Sequence, residues 1–393
     1  MPKKRILISC NRTLNLGGIE KSLTTFLKAF DTKRYDVTLV LNNKNGPLFE
    51  ELNLSDIHTI FVNEFDTAQL IMNDIVHFRL IRLLKSLIYR LNLRITKDWY
   101  ARIMYTYRII EPTIDIPGHF DLAYSFTSDY SDLSIVLKVD ASKRACMIHG
   151  DATRNPKHAR MNDPLMRQMD KIFAVSNSAK DQFLVVHPTC ADKMDIFYNI
   201  IDENDILRKS KERVDDIITD GTPIICTVGR LEDVKGQHLI PKVVALLYES
   251  GYPVYWYIIG EGSHRNIVEE EIHKYHVENA VIMLGARKNP YPYMKSCDIY
   301  VQPSLSEAFC ITLMEARILH KPIVVTDVPG MREQFISGEN GLVVTKTSDA
   351  LFKGVKDLLE RPDMRKRFID TLNEKRYTNT EEIKKVYALI ESD

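Results

Sequence analysis

One pattern constrains the fold more than any other. Short apolar, β-rich runs alternate with helical patterns along the chain, and the alternation restarts near residue 205. The first half carries "RILISC", "DVTLVLN", "HTIFV", "DLAYSF", "ACMIHG", "IFAVS" and "DIFYN". The second carries "PIICTVGR", "YWYIIGEG", "AVIMLGA", "DIYVQPS", "PIVVTD" and "GLVV". Strands that alternate with helices form parallel sheets covered on both faces. The charged stretch "RKSKERVDDIITDGTP" (208–223) precedes the restart. The pattern predicts an α/β protein of two doubly wound, Rossmann-like domains facing across a cleft, 1–204 and 205–375. Ligands of such sheets bind outside the carboxyl ends of the strands, so the chemistry belongs in the turns that follow them.

The length of 393 residues suits two or three domains, and 45% apolar with 27% charged residues is ordinary globular composition. No stretch reaches eighteen consecutive apolar residues, so no spanning helix is expected. The basic start "MPKKRILISC" has too short an apolar run for a signal peptide and reads as a first strand. The six cysteines, at 10, 146, 190, 226, 297 and 310, lack metal-ligand spacing and read as reduced, buried thiols of a cytosolic protein. A net charge of zero argues against a general nucleic-acid binder. The halves nevertheless differ: residues 1–200 hold 27 Lys and Arg against 22 Asp and Glu, and residues 201–393 hold 26 against 31.

Four features fall at predicted strand ends. Gly17 and Gly18 open an amphipathic helix after the first strand, where backbone can approach a ligand and a helix start favours anions. The fingerprint G-x-G-x-x-G is absent there, which counts against a dehydrogenase. Arg230 and Lys235, in "GRLEDVKG", present two cations suited to a diphosphate; a solvated basic loop is the bland alternative. Gly260 and Gly262 in "GEG" suggest a further close approach of backbone. Finally, in "SLSEAFCITLMEARILHKPIVV", Glu307 falls in a loop and Glu315 a turn into a helix. The helix start between them offers free N–H groups near residues 311–313. A phosphate cradle with a carboxylate on either side would grip a nucleotide sugar, the carboxylates accepting from its hydroxyls. A capping charge plus one surface glutamate is the alternative.

In series, these features resemble the retaining GT-B glycosyltransferases of glycosyltransferase family 4. The resemblance covers nearly the whole chain and is strongest over 224–344, with "VSNSAKDQF" and "IFYNIID" resembling the end of the family's first domain. It implies a C-terminal helix, 376–393, crossing back toward the first domain. It also implies a retaining, metal-independent hexosyltransferase that uses a nucleotide-diphosphate sugar, UDP-sugar favoured, and needs no cofactor. The acceptor would be a hydroxyl of a glycan or lipid-linked glycan in surface polysaccharide or glycoconjugate synthesis. Gly17 and Gly18 would face the diphosphate and the reacting centre, Arg230 and Lys235 would hold the diphosphate, Glu307 the donor sugar and Glu315 the ribose. His149, at the end of "ACMIHG", matches a histidine placed near the donor sugar. Gly262, Arg287, Ala308, Phe309, Cys310, Thr312 and Leu313 would line the donor pocket, with Arg287 near the base. The chain departs from the family where glycines are usual, carrying Ala308 and Cys310, and it has Asn199–Ile200 and Pro329–Gly330 at two other motif positions. No Asp-x-Asp pair falls at a strand end, in keeping with metal independence.

Residues 79–108 hold eight Lys and Arg and a single acid, Asp98, with leucines at helical spacing. The stretch reads as a packed helix with a solvated basic face, or as a peripheral contact with anionic membrane. The expected location is cytoplasmic, at the inner face of the plasma membrane. Two rival functions fit the same fold: a sugar-nucleotide epimerase, and a non-catalytic partner subunit of another transferase.

Overall fold

The structure, a computed structural model, describes residues 2–62 and 116–392; the basic stretch 79–108 lies outside the described residues. Every apolar run named above forms a strand. In the first half these are β1 (Lys4–Cys10), β2 (Tyr35–Leu41), β3 (Ile57–Phe61), β4 (His119–Ser125), β5 (Asp140–Ile148), β6 (Lys171–Ala174) and β7 (Met194–Ile196). In the second they are β8 (Ile224–Val228), β9 (Tyr255–Ile259), β10 (Val281–Gly285), β11 (Ile299–Gln302), β12 (Ile323–Thr326) and β13 (Leu342–Val344). Two parallel sheets result, in the orders β3-β2-β1-β4-β5-β6-β7 and β10-β9-β8-β11-β12-β13. Ile6, Leu7 and Ile8 are successive and all fully buried. That is the mark of a strand covered on both faces, and it is why these runs read as continuous rather than alternating.

Each sheet has a switch point where strand order reverses, between β1 and β4 and between β8 and β11. A crevice opens at such a point outside the carboxyl ends of the strands. The two crevices face each other.

Three contacts fix that opposition. The Ser176 hydroxyl, from the first domain, donates to the Ala308 carbonyl at 2.7 Å. The Glu333 carboxylate takes the N–H groups of Asn177, at 3.0 Å, and Ser178, at the start of the helix Asn177–Val186, where a negative charge is favoured. Ala308 and Phe309 pack within the apolar core of the first domain. The last helix, Ile383–Glu391, also lies on that core through Ile383, Val386 and Ile390. Tyr387 there stacks on Tyr35 with ring centroids 5.1 Å apart, and Lys4 Nζ donates to the Ile390 carbonyl at 2.8 Å.

Candidate active site

Between the two switch points lies a cavity of about 760 Å³, within the usual range of ligand sites. The loops after β1, β4 and β5 line one wall, and those after β8, β9, β10 and β11 line the other.

The first wall is braced by Asp132, fully buried in the helix Tyr130–Lys138. Its Oδ1 accepts from the Ser9 hydroxyl at 2.5 Å and the Asn11 N–H at 2.7 Å, and its Oδ2 from the Thr127 hydroxyl at 2.7 Å. Burial pushes the carboxyl above its ordinary range, and these hydrogen bonds oppose the shift. One side chain thereby ties the end of β1 to the end of β4. Gly17 caps the helix Gly18–Ala29 without a side-chain bond, and a Cβ on it would meet the Glu20 carboxylate at 2.1 Å. A Cβ on Gly18 would approach Ile311 of the opposite wall at 3.9 Å. The helix start therefore presents bare backbone to the cavity.

Arg12 and His149 complete this wall. The Arg12 guanidinium donates to Asp129 at 2.5 Å; burial works against its charge, and Asp129 holds it charged. His149 Nε2 lies 2.9 Å from the Phe126 carbonyl. Burial pushes the ring down to about 4, so it is neutral at physiological pH. A carbonyl partner requires the proton on Nε2, which leaves Nδ1 as an acceptor.

The second wall carries charge on side chains. Lys235 Nζ donates to Glu307 Oε1 at 2.6 Å, and the Ser304 hydroxyl donates to the same oxygen at 2.8 Å. Ser304 accepts from Gln302 Nε2 at 2.9 Å, and Gln302 Oε1 accepts from Tyr300 at 2.8 Å. A buried hydrogen-bonded file thus runs from β11 to Glu307. Burial alone would lower Lys235, but the Glu307 carboxylate outweighs it and keeps the ammonium above its usual value. Gly330 supports the loop from behind: a Cβ there would meet the Glu307 carbonyl at 2.6 Å and Ala308 at 2.7 Å. Arg230 is 58% exposed and pairs with Glu232 at 2.9 Å.

Cys310 caps the helix Ile311–Ile318 with φ of 65°, a left-handed backbone that a non-glycine residue adopts at a cost. Burial, with the Glu307 charge adding to it, raises its thiol to about 12, so it is a protonated thiol and a poor nucleophile.

Such geometry can hold an anion between a helix start and two cations, with one carboxylate beside it. Residues 208–374 match the family of glycosyl transferases group 1. The match falls within the half of the chain that carries the second sheet. Among curated relatives, the N-acetylgalactosamine-N,N'-diacetylbacillosaminyl-diphospho-undecaprenol 4-alpha-N-acetylgalactosaminyltransferase of Campylobacter jejuni is 33% identical over 178 residues, 45% of this chain and 47% of that one. The capsular polysaccharide biosynthesis glycosyltransferase CapM of Staphylococcus aureus is 25% identical over 154 residues, 39% of this chain and 40% of that one. The matched region thus spans less than half the length of either relative. Anabaena HepE, solved in complex with UDP and glucose, superposes with a TM-score of 0.72 at 17% identity, covering 99% of this chain and 100% of that one. Two parallel doubly wound sheets opposed across a cleft, with that neighbour, make the fold GT-B.

Within this GT-B frame the cavity gathers Gly17, Gly18, His149, Arg230, Lys235, Arg287, Glu307, Ala308, Phe309, Cys310 and Thr312. Three expected residues stand elsewhere. Gly262 is absent from the cavity wall; a Cβ on it would meet the Leu231 carbonyl at 2.2 Å, so its close approach is to the domain's own backbone. Leu313 points into the core of the second domain and is fully buried. Glu315 lines a separate, smaller cavity of about 140 Å³. It lies one helical turn beyond Ile311, on the same face, and Ile311 borders both spaces. The Arg287 guanidinium is committed to Asp216 at 3.0 Å and the Tyr293 hydroxyl at 3.2 Å. Asp132, Arg12, Gln302 and Ser304 were not expected from the sequence. The one available signal for Asp132 was an acid inside the apolar helical run "YSDLSIVLK".

Proposed function

We propose that the chain is a retaining, metal-independent hexosyltransferase moving a sugar from a nucleotide-diphosphate sugar, UDP-sugar favoured, to a hydroxyl of a glycan or lipid-linked glycan. The observation that carries this reading is the single cavity in which the bare helix start at Gly17–Gly18 opposes Arg230, Lys235 and Glu307. The diphosphate lies between the helix start and the two cations, which stabilise the charge that develops as the bond to the anomeric carbon breaks. Glu307 accepts from hydroxyls of the donor sugar. The acceptor oxygen bonds to the anomeric carbon on the face the phosphate leaves, and the acceptor proton passes to the departing phosphate oxygen. His149, neutral and with Nδ1 as acceptor, sits beside that centre. Glu315 takes the ribose from the neighbouring cavity. The name of the Campylobacter relative places its acceptor on diphospho-undecaprenol; carried to this chain, it favours a lipid-linked acceptor and cytoplasmic work at the inner membrane face. Among the described residues no helix is long and apolar enough to cross a membrane.

The test is transfer by the purified chain from UDP-, GDP- and ADP-sugars to lipid-linked glycan, with and without excess EDTA. Transfer that persists in EDTA, with the anomeric configuration of the donor kept in the product, is expected. Release of a free sugar epimeric to the donor's, without acceptor, would instead mark an epimerase, and donor binding without turnover a partner subunit. Loss of turnover in EDTA with recovery in Mn²⁺ would remove metal independence.

A further inference from the structure

Glu315 is 2% exposed, and its two oxygens differ. Oε1 receives Lys21 Nζ at 2.8 Å and the Tyr291 hydroxyl at 2.9 Å. Oε2 is buried and has no hydrogen-bond partner among the described residues. A buried carboxylate oxygen without a donor carries its full desolvation penalty, so an orphan of this kind calls for a donor from outside the fold.

Lys21 belongs to the other domain, in the first turn of the helix Gly18–Ala29. It borders both the large cavity and the small one, and its ammonium also lies 4.9 Å above the centre of the Tyr291 ring. Without it, Glu315 would keep only a phenol as partner. Burial and the Glu315 charge beside it raise the Tyr291 hydroxyl well above its ordinary value, which keeps it a neutral donor.

We propose that Lys21 is a positioning residue for nucleotide binding. Reaching across the domain interface, it fixes Glu315 through Oε1 so that the unpartnered Oε2 is left to accept from a ribose hydroxyl. This rests on the donor reading given above. It adds a consequence: affinity for the nucleotide depends on the first domain, although the proposed base and ribose contacts belong to the second. Because such coupling is reciprocal, bound nucleotide also favours the approach of the two domains.

The test takes whichever of UDP, GDP and ADP the wild-type chain binds, together with its 2′-deoxy and 3′-deoxy forms, and measures affinity by calorimetry. Lys21→Met should weaken the parent nucleotide on the order of tenfold to a hundredfold, the usual span of a charged hydrogen bond. Lys21→Arg should recover most of that, and Lys21→Met should add little on top of Glu315→Gln. The loss should shrink for at least one deoxy form, which a merely structural lysine would not produce. Lys21→Gln makes the same comparison should the methionine variant fail to fold. Unchanged affinity in a folded variant, or equal losses on parent and both deoxy forms, would overturn the proposal. Wild-type protein that binds none of the three nucleotides would remove the donor reading and this inference with it.

Discussion

The two walls of the cavity are braced differently. The first rests on Asp132, which is fully buried, stands outside the cavity lining and is occupied by three internal donors. The second rests on the Lys235–Glu307 pair, and both partners line the cavity. A carboxylate satisfied by its own domain is a scaffold, set once by folding. An ion pair facing a cavity can be rearranged by what enters: an anion competes for the lysine, and a hydroxyl replaces it as donor to the carboxylate. The contrast assigns shape to the Asp132 brace and recognition to the Lys235–Glu307 pair. It also predicts that substitutions in the two walls fail in different measurements.

The largest effect is expected at Glu307. Glu307→Gln should lower kcat by about a hundredfold or more, because misplacing a reacting group costs that much, while the affinity for free nucleotide stays near wild type. Steady-state kinetics beside calorimetry reads both quantities. Full turnover in this variant would return Glu307 to a structural acid and erase the contrast.

Arg230 comes next. The guanidinium is 58% exposed and already paired with Glu232, so solvent screening reduces its contribution. Arg230→Ala should weaken nucleoside-diphosphate binding by roughly 1–2 kcal/mol, the low side of a charged hydrogen bond. Nucleoside without phosphate should bind equally to both proteins; a comparable loss there would place Arg230 outside the diphosphate contact.

For the first wall, Asp132→Ala should cost about 1–3 kcal/mol of stability by leaving buried donors unpaired. Denaturant unfolding should register this before nucleotide affinity does. If nucleotide affinity falls while stability holds, Asp132 belongs with the recognising wall.

The sequence showed much of the second wall and little of what braces the first. The apolar runs became strands because a doubly covered parallel strand is written as a continuous run, as in Ile6–Leu7–Ile8. The residues of the large cavity were readable because strand ends in this architecture face the ligand, whatever the ligand is. Leu313 and Glu315 left the expected site for a helical reason: successive residues turn by about 100°, so Thr312 faces the cavity, Leu313 faces the core, and Glu315 follows Ile311 into the space behind. Lys21 could not be assigned to Glu315, since the pair lies 294 residues apart and across two domains. Local pattern carries no information about which helix face meets which when separate sheets oppose. Asp132 was hidden because a buried acid is recognisable only once its three donors converge.

The smallest effect is expected at Cys310, and it tests the second wall's backbone rather than its charge. At an ordinary position glycine is less stable than alanine by roughly 0.5–1 kcal/mol, through the freedom of the unfolded chain. Cys310 has φ of 65°, where a Cβ costs roughly 1–2 kcal/mol. Both Cys310→Gly and Cys310→Ala remove the buried thiol, so comparing them isolates the backbone. Strain relief outweighs the entropy loss, and the glycine variant should be the more stable of the two by roughly 0.5–1 kcal/mol. Thermal unfolding of the two variants side by side gives the sign directly. The glycine variant should also keep its nucleotide affinity, since the helix start at Ile311 is set by that same left-handed turn. An alanine variant as stable as the glycine one would mean that the turn is not strained, and that Cys310 holds the loop through its contact with Thr312, 3.4 Å away, rather than at the expense of its backbone.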